Sequence, residues 1–163
     1  MDAGASMIVN PSLPSGFVIF CDDIRHEING KATYVGVYSG QLIIGGDLPI
    51  TLPQLHAAIT FRVAPPSEII KPIIRMNITG QDEALFEWKA EIAPVVNQQD
   101  NIVSSENSDS ITIMQMGITA GLQSLVIRES CEIRVRAYIG DDEYRLGALQ
   151  IVLASQIAVG EQP

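Results

Sequence analysis

The sequence predicts an all-β fold, an antiparallel β-sandwich of about eight or nine strands with little helix. Three observations carry that reading. Apolar and polar residues alternate at period two in several separate segments, as in a strand with one face buried. No window of about eleven residues or more repeats with a strong helical period. Isoleucine occurs 23 times, a bias toward the β-branched residues that suit a pleated, half-buried surface.

Each element follows in order. Met1–Ser15 carries Pro, Ser, Gly and Asn without periodicity and reads as a flexible N-terminal arm (residues 1–15). Phe17-Val18-Ile19-Phe20-Cys21 is continuously apolar between Gly16 and Asp22, which predicts a strand covered on both faces. Ile24–Val37 reads as a hairpin about Asn29-Gly30, the pair favoured where both turn positions take positive φ. That turn pairs Ile28 with Lys31, His26 with Thr33, Arg25 with Tyr34 and Ile24 with Val35. Leu55, Ala57, Ile59, Phe61 and Val63 alternate with His56, Ala58, Thr60 and Arg62, and Pro65-Pro66 ends the run.

A second hairpin is expected where Ile74, Met76 and Ile78 meet Phe86, Trp88, Ala90 and Ile92 across a turn at Gly80-Gln81-Asp82. Residues 97–110 are polar and predict a long loop. Ile111–Thr119 resumes a strand, with a short connecting piece after Gly121 that ends at Glu129-Ser130. Ile133, Val135, Ala137 and Ile139 turn at Gly140-Asp141-Asp142-Glu143 and return through Leu149, Ile151 and Leu153. Leu146 is out of phase with that return strand, which predicts a bulge near Gly147. The expected core includes Phe61, Phe86, Trp88, Ile133, Val135 and Ile151. One β-sandwich domain spans residues 16–154, and residues 155–163 form a C-terminal tail.

The chain has 163 residues, enough for one domain with a real core. Its hydrophobic fraction is 47% and its mean hydropathy +0.21, so it is not a disordered composition. A formal net charge of −9 argues against non-specific nucleic-acid binding and against docking on an anionic membrane. No apolar run approaches the roughly 20 residues of a membrane-spanning helix, and Met1–Gly16 lacks the features of a signal peptide. The expected location is the cytoplasm, or a virion if the chain is phage-encoded. The two cysteines, Cys21 and Cys131, are expected as reduced core residues.

Catalytic chemistry finds little material. No Gly-x-Ser-x-Gly elbow and no phosphate-binding glycine loop occurs. His26 and His56 are the only histidines, and the hairpin register keeps His26 away from Cys21. No cysteine and histidine spacing resembles a zinc site. The acids at Asp22-Asp23 and at Asp141-Asp142-Glu143 are weak metal candidates, able to hold calcium only if both clusters reach the same end of the sandwich. No cofactor is expected.

The segment Phe20-Cys21-Asp22-Asp23-Ile24-Arg25-His26-Glu27-Ile28-Asn29-Gly30-Lys31, followed by Val35-Gly36-Val37-Tyr38, resembles the opening of a family of small uncharacterised bacterial and phage-encoded proteins, a domain of unknown function. The resemblance is strong over Phe17–Ile44 and weaker to Val152. It implies a single β-rich domain and transfers no catalytic residue. Within it, Arg25 is expected to face Tyr34 and to pair with Glu27.

The leading functional expectation is a non-enzymatic protein-binding or assembly module, with a protein partner or self-association. Gln41-Leu42-Ile43-Ile44 is flanked by glycines and uncharged, so Leu42, Ile43 and Ile44 are the candidate partner-binding residues. The alternative is a C2-like domain binding calcium or a small ligand through loop carboxylates. A carboxylate hydrolase comes third.

Overall fold

The alternating segments are strands in the computed structural model, which describes residues 12–94 and 113–157. In chain order they are β1 (Ser15–Cys21), β2 (Asp23–His26), β3 (Ala32–Val35), β4 (Gln41–Ile44), β5 (Ile50–Val63), β6 (Ile73–Ile78), β7 (Ala84–Lys89), β8 (Met114–Ile127), β9 (Cys131–Ile139) and β10 (Asp142–Leu153). One short helix, α1 (Ala154–Ile157), follows. The sheets are β1-β5-β8, β4-β10-β9-β6-β7 and the small pair β2-β3. The fold class is therefore the expected one, with ten strands among the described residues. One pair departs from the antiparallel pattern: β4 runs parallel to β10. Residues 97–110, read as a loop, lie outside the described residues, as do residues 1–11 of the arm and 158–163 of the tail.

The core lies between the two larger sheets because their alternation points the apolar set inward from both sides. Leu55, Ala57, Ile59, Phe61 and Val63 of β5 are all buried, and face Ile74, Met76, Ile133, Val135, Ala137, Leu149 and Ile151 of the five-stranded sheet. Four of the six expected core residues are buried: Phe61, Ile133, Val135 and Ile151. Phe86 and Trp88 are only half-buried, because β7 is the last strand of its sheet among the described residues and packs against the rim of the core.

Two further expectations are corrected. Asn29 and Gly30 do take positive φ, 68° and 72°, but the turn holds three residues, Ile28–Gly30, closed by the Glu27 N–H donating to the Lys31 carbonyl at 2.8 Å. The register consequently shifts by one, so Arg25 lies opposite Thr33 and Ile24 opposite Tyr34. Arg25 then pairs with Asp23, and Glu27 accepts a hydrogen bond from Thr33. The second correction concerns β8, which runs unbroken through Gly117 and Gly121 to Ile127, with no separate connecting piece after Gly121. Its fourteen residues pair along β5 from Val63 to Ile50.

The bulge falls where the phase of Leu146 places it. The β9–β10 register shifts between Arg145 and Gly147, and Leu146 turns inward to become buried. Gly147 sits at φ 149°, and a Cβ there would lie 2.6 Å from Val18 Cγ1. That close approach brings β1 against β10.

Candidate functional site

The acidic clusters do not converge. Gly16 of β1 lies against Leu146, and Val18 against Gly147. So β1 and β10 head the same way, and Asp22, at the far end of β1, leaves the sandwich opposite the Asp141-Asp142-Glu143 turn that opens β10. Asp23 is held by Arg25 at 3.3 Å. Glu143 takes Arg136 at 3.3 Å and accepts from the Tyr138 hydroxyl at 3.3 Å. Among the described residues, no group of three or more His, Cys, Asp or Glu side chains could hold a metal ion.

Asp22 is instead the centre of a knot that joins the motif residues. Its N–H donates to the Val35 carbonyl at 2.9 Å and, more weakly, to that of Gly36 at 3.3 Å. The Tyr38 hydroxyl donates to its carboxylate. Its own carbonyl accepts from Gln54 Nε2 at 2.8 Å and from His56 Nδ1 at 3.0 Å. The same Nδ1 lies 3.3 Å from Gln54 Nε2, so Gln54, His56 and the Asp22 carbonyl form one cluster. Gly36 has φ 65°, and a Cβ there would run into the Asp22 carboxylate. Burial pushes the Tyr38 hydroxyl up to about 12, helped by the hydrogen bond to Asp22 and by its charge. The sequence motif at Cys21–Tyr38 thus codes for a structural joint between β1, β5 and the β2–β3 hairpin.

Nucleophilic groups are poorly placed for chemistry. Both cysteines are free, Cys21 buried and Cys131 half-buried. Burial raises the Cys21 thiol, with Asp22 adding to it, and burial with Glu129 raises the Cys131 thiol. Both shifts favour the protonated thiol over the nucleophilic thiolate. His26 is exposed on β2. A cleft of about 610 Å³ lies between the β6–β7 turn and the end of β8, walled by Ile78, Leu85, Leu125 and Ile127 and containing Glu132. Hydrogen bonding from Arg134 holds the Glu132 carboxyl below the usual range, so it is an acceptor and not a proton donor.

The sheet edges are the remaining candidates. At β4, Leu42 is half-buried and Ile44 buried, both packed on the core, while Ile43 points outward and is 55% exposed. One side of β4 pairs with β10, and its other side has no backbone partner among the described residues. The sequence missed a second edge. Among the described residues β8 pairs only with β5, and its fourteen residues, MQMGITAGLQSLVI, include no charge and no proline. Its lack of charge was readable, but its place at the edge of a sheet follows only from the strand order. By contrast, the edge strand β7 carries Glu87 and Lys89, the usual guard against unwanted pairing. No helix among the described residues is long and apolar enough to cross a membrane. No protein-family model matches this chain, and no curated protein matches it either.

Proposed function

We propose that this chain is a non-enzymatic protein-binding or assembly module that pairs with a second copy of itself by strand addition. The observation that supports the reading is β8, a fourteen-residue edge strand without charge or proline and with no backbone partner on its outer side among the described residues. An open edge of this kind offers a row of N–H and C=O groups to another strand. Strand β4, with Ile43 outward between Leu42 and Ile44, is the shorter alternative edge. We place the module in the cytoplasm, or in a virion if it is phage-encoded. The acidic turns favour no calcium reading, since Asp22-Asp23 and Asp141-Asp142-Glu143 lie at opposite ends.

Sedimentation velocity over a concentration series tests the proposal. Thr119 and Gln123 are exposed on β8, so Thr119→Lys with Gln123→Lys places two like charges on the edge without touching the core. Wild-type protein is expected to associate with rising concentration, and the double variant to associate about tenfold more weakly or not at all. If Ile43→Lys weakens association instead, β4 is the edge in use. A strict monomer at every concentration overturns the reading.

A further inference from the structure

The solvent face of the five-stranded sheet carries an arrangement that sheet stability alone disfavours. Arg75 of β6 lies directly opposite Arg136 of β9, and Arg136 lies directly opposite Arg145 of β10. Directly paired residues project from the same face, and like charges in that relation repel. Arg134, two residues before Arg136, stands on the same face. Four of the chain's ten basic residues are thus gathered in one patch of a protein whose net charge is −9.

Glutamates offset part of this charge. Glu87 takes Arg75 at 2.5 Å and Lys89 at 2.7 Å, Glu132 takes Arg134, and Glu143 takes Arg136. Arg145 is exposed and has no ion pair among the described residues. Beside it opens a cleft of about 370 Å³ lined by Glu132, Arg134, Arg136, Arg145, Gly147 and Ala148. Its two smallest lining residues leave room between the arginines. Gly147 is fixed as glycine by Val18 on the opposite side of the sheet. Arg136 is pinned, with its side chain 13% exposed and Nη1 donating to the carbonyls of Val135 at 2.9 Å and Gly147 at 3.3 Å. One guanidinium is therefore already positioned, and a second stands free at the mouth.

We propose that this cleft binds a phosphate group, either free or carried by a small phosphomonoester. Three arginines against Glu132 in the lining and Glu143 on Arg136 leave a net charge of +1, and Arg145 is the guanidinium still open to an anion. Guanidinium forks match the oxygens of phosphate in geometry as well as charge. The site stands independently of strand pairing, since it lies on a sheet face and not on an edge.

The test is calorimetric titration with inorganic phosphate and with glycerol phosphate, run beside melting curves in phosphate and in chloride of equal ionic strength. Phosphate is expected to raise the melting temperature where chloride does not. Equal binding of the two probes identifies the phosphate group itself as the ligand, and tighter glycerol phosphate identifies a monoester. Arg145→Gln should weaken phosphate binding about tenfold, a loss ordinary for one charge-assisted contact. Lys71→Gln, which removes a positive charge elsewhere, should leave binding unchanged. The two buffers add a reversal of sign. Without phosphate, Arg145→Gln should melt above the wild type because the cross-strand repulsion is relieved, and with saturating phosphate it should melt below. A phosphate effect no larger than that of chloride, or equal phosphate affinity in Arg145→Gln and wild type, overturns the proposal.

Discussion

Tyr38 shows how a single residue ties sequence to stability. Its hydroxyl donates to Asp22, and burial with that contact lifts it from an ordinary 10 to about 12. The folded state therefore holds this proton more tightly than the unfolded chain. Its contribution is fully present below about pH 10, the unfolded value, and is lost as pH rises through the folded value of about 12. Denaturation followed across that alkaline window should show a loss of stability that Tyr38→Phe reduces. An equal alkaline loss in Tyr38→Phe would assign the effect elsewhere. Core residues make a second contrast. Phe61 is fully buried, so Phe61→Ala should cost about 3–5 kcal/mol. Trp88 is half-buried on an edge strand, so Trp88→Ala should cost only about 1–2 kcal/mol despite the larger ring. Urea melts of both variants compare them directly. Sequence alternation marked both residues as inward, and it was right about direction. It could not tell a central strand from an edge strand, which is what separates their burial.

At the scale of elements, phase proved more informative than turn type. Leu146 broke the alternation of Leu149 and Ile151, and only an extra residue in the strand reconciles all three with one core. The bulge at Leu146 is that residue. The Asn29-Gly30 turn had the right backbone signs but one residue more than a minimal turn, and a three-residue loop is not distinguishable from a two-residue one by those side chains alone. Strand order was likewise invisible, because β1, β5 and β8 come from three separate parts of the chain. The same lack hid the arginine row, whose members are consecutive only across strands. The bulge also supplies a measurable coupling. Gly147→Ala puts a Cβ 2.6 Å from Val18 Cγ1 and should destabilise by about 1–3 kcal/mol through overpacking and an unfavourable φ. Val18→Ala removes the atom struck. In that background Gly147→Ala should cost measurably less, and a double-mutant cycle with no coupling would show that β1 and β10 do not meet at this point.

For the whole molecule, the distribution of charge matters more than its total. Acidic turns at opposite ends cannot share an ion, so millimolar calcium should leave the melting temperature unchanged. A rise of several degrees, abolished by Asp141→Asn with Asp142→Asn, would contradict the placement of those turns. Association follows from the same distribution. Two copies, each carrying a net charge of −9, repel as they approach, while the β8 edge brings no charge of its own to the contact. Salt screens the general repulsion within a Debye length of about 10 Å at 0.1 M ionic strength. Backbone hydrogen bonds between two uncharged edges have no ion pair for salt to weaken. Self-association through β8 should therefore strengthen as sodium chloride rises from about 0.02 M to about 0.3 M, measured by sedimentation velocity at fixed protein concentration. Association through the arginine face and an acidic surface of the second copy would respond in the opposite direction, since its attraction is the term that salt screens. Weakening with salt would thus move the contact from β8 to that face, and the Thr119→Lys, Gln123→Lys variant would then associate as the wild type does.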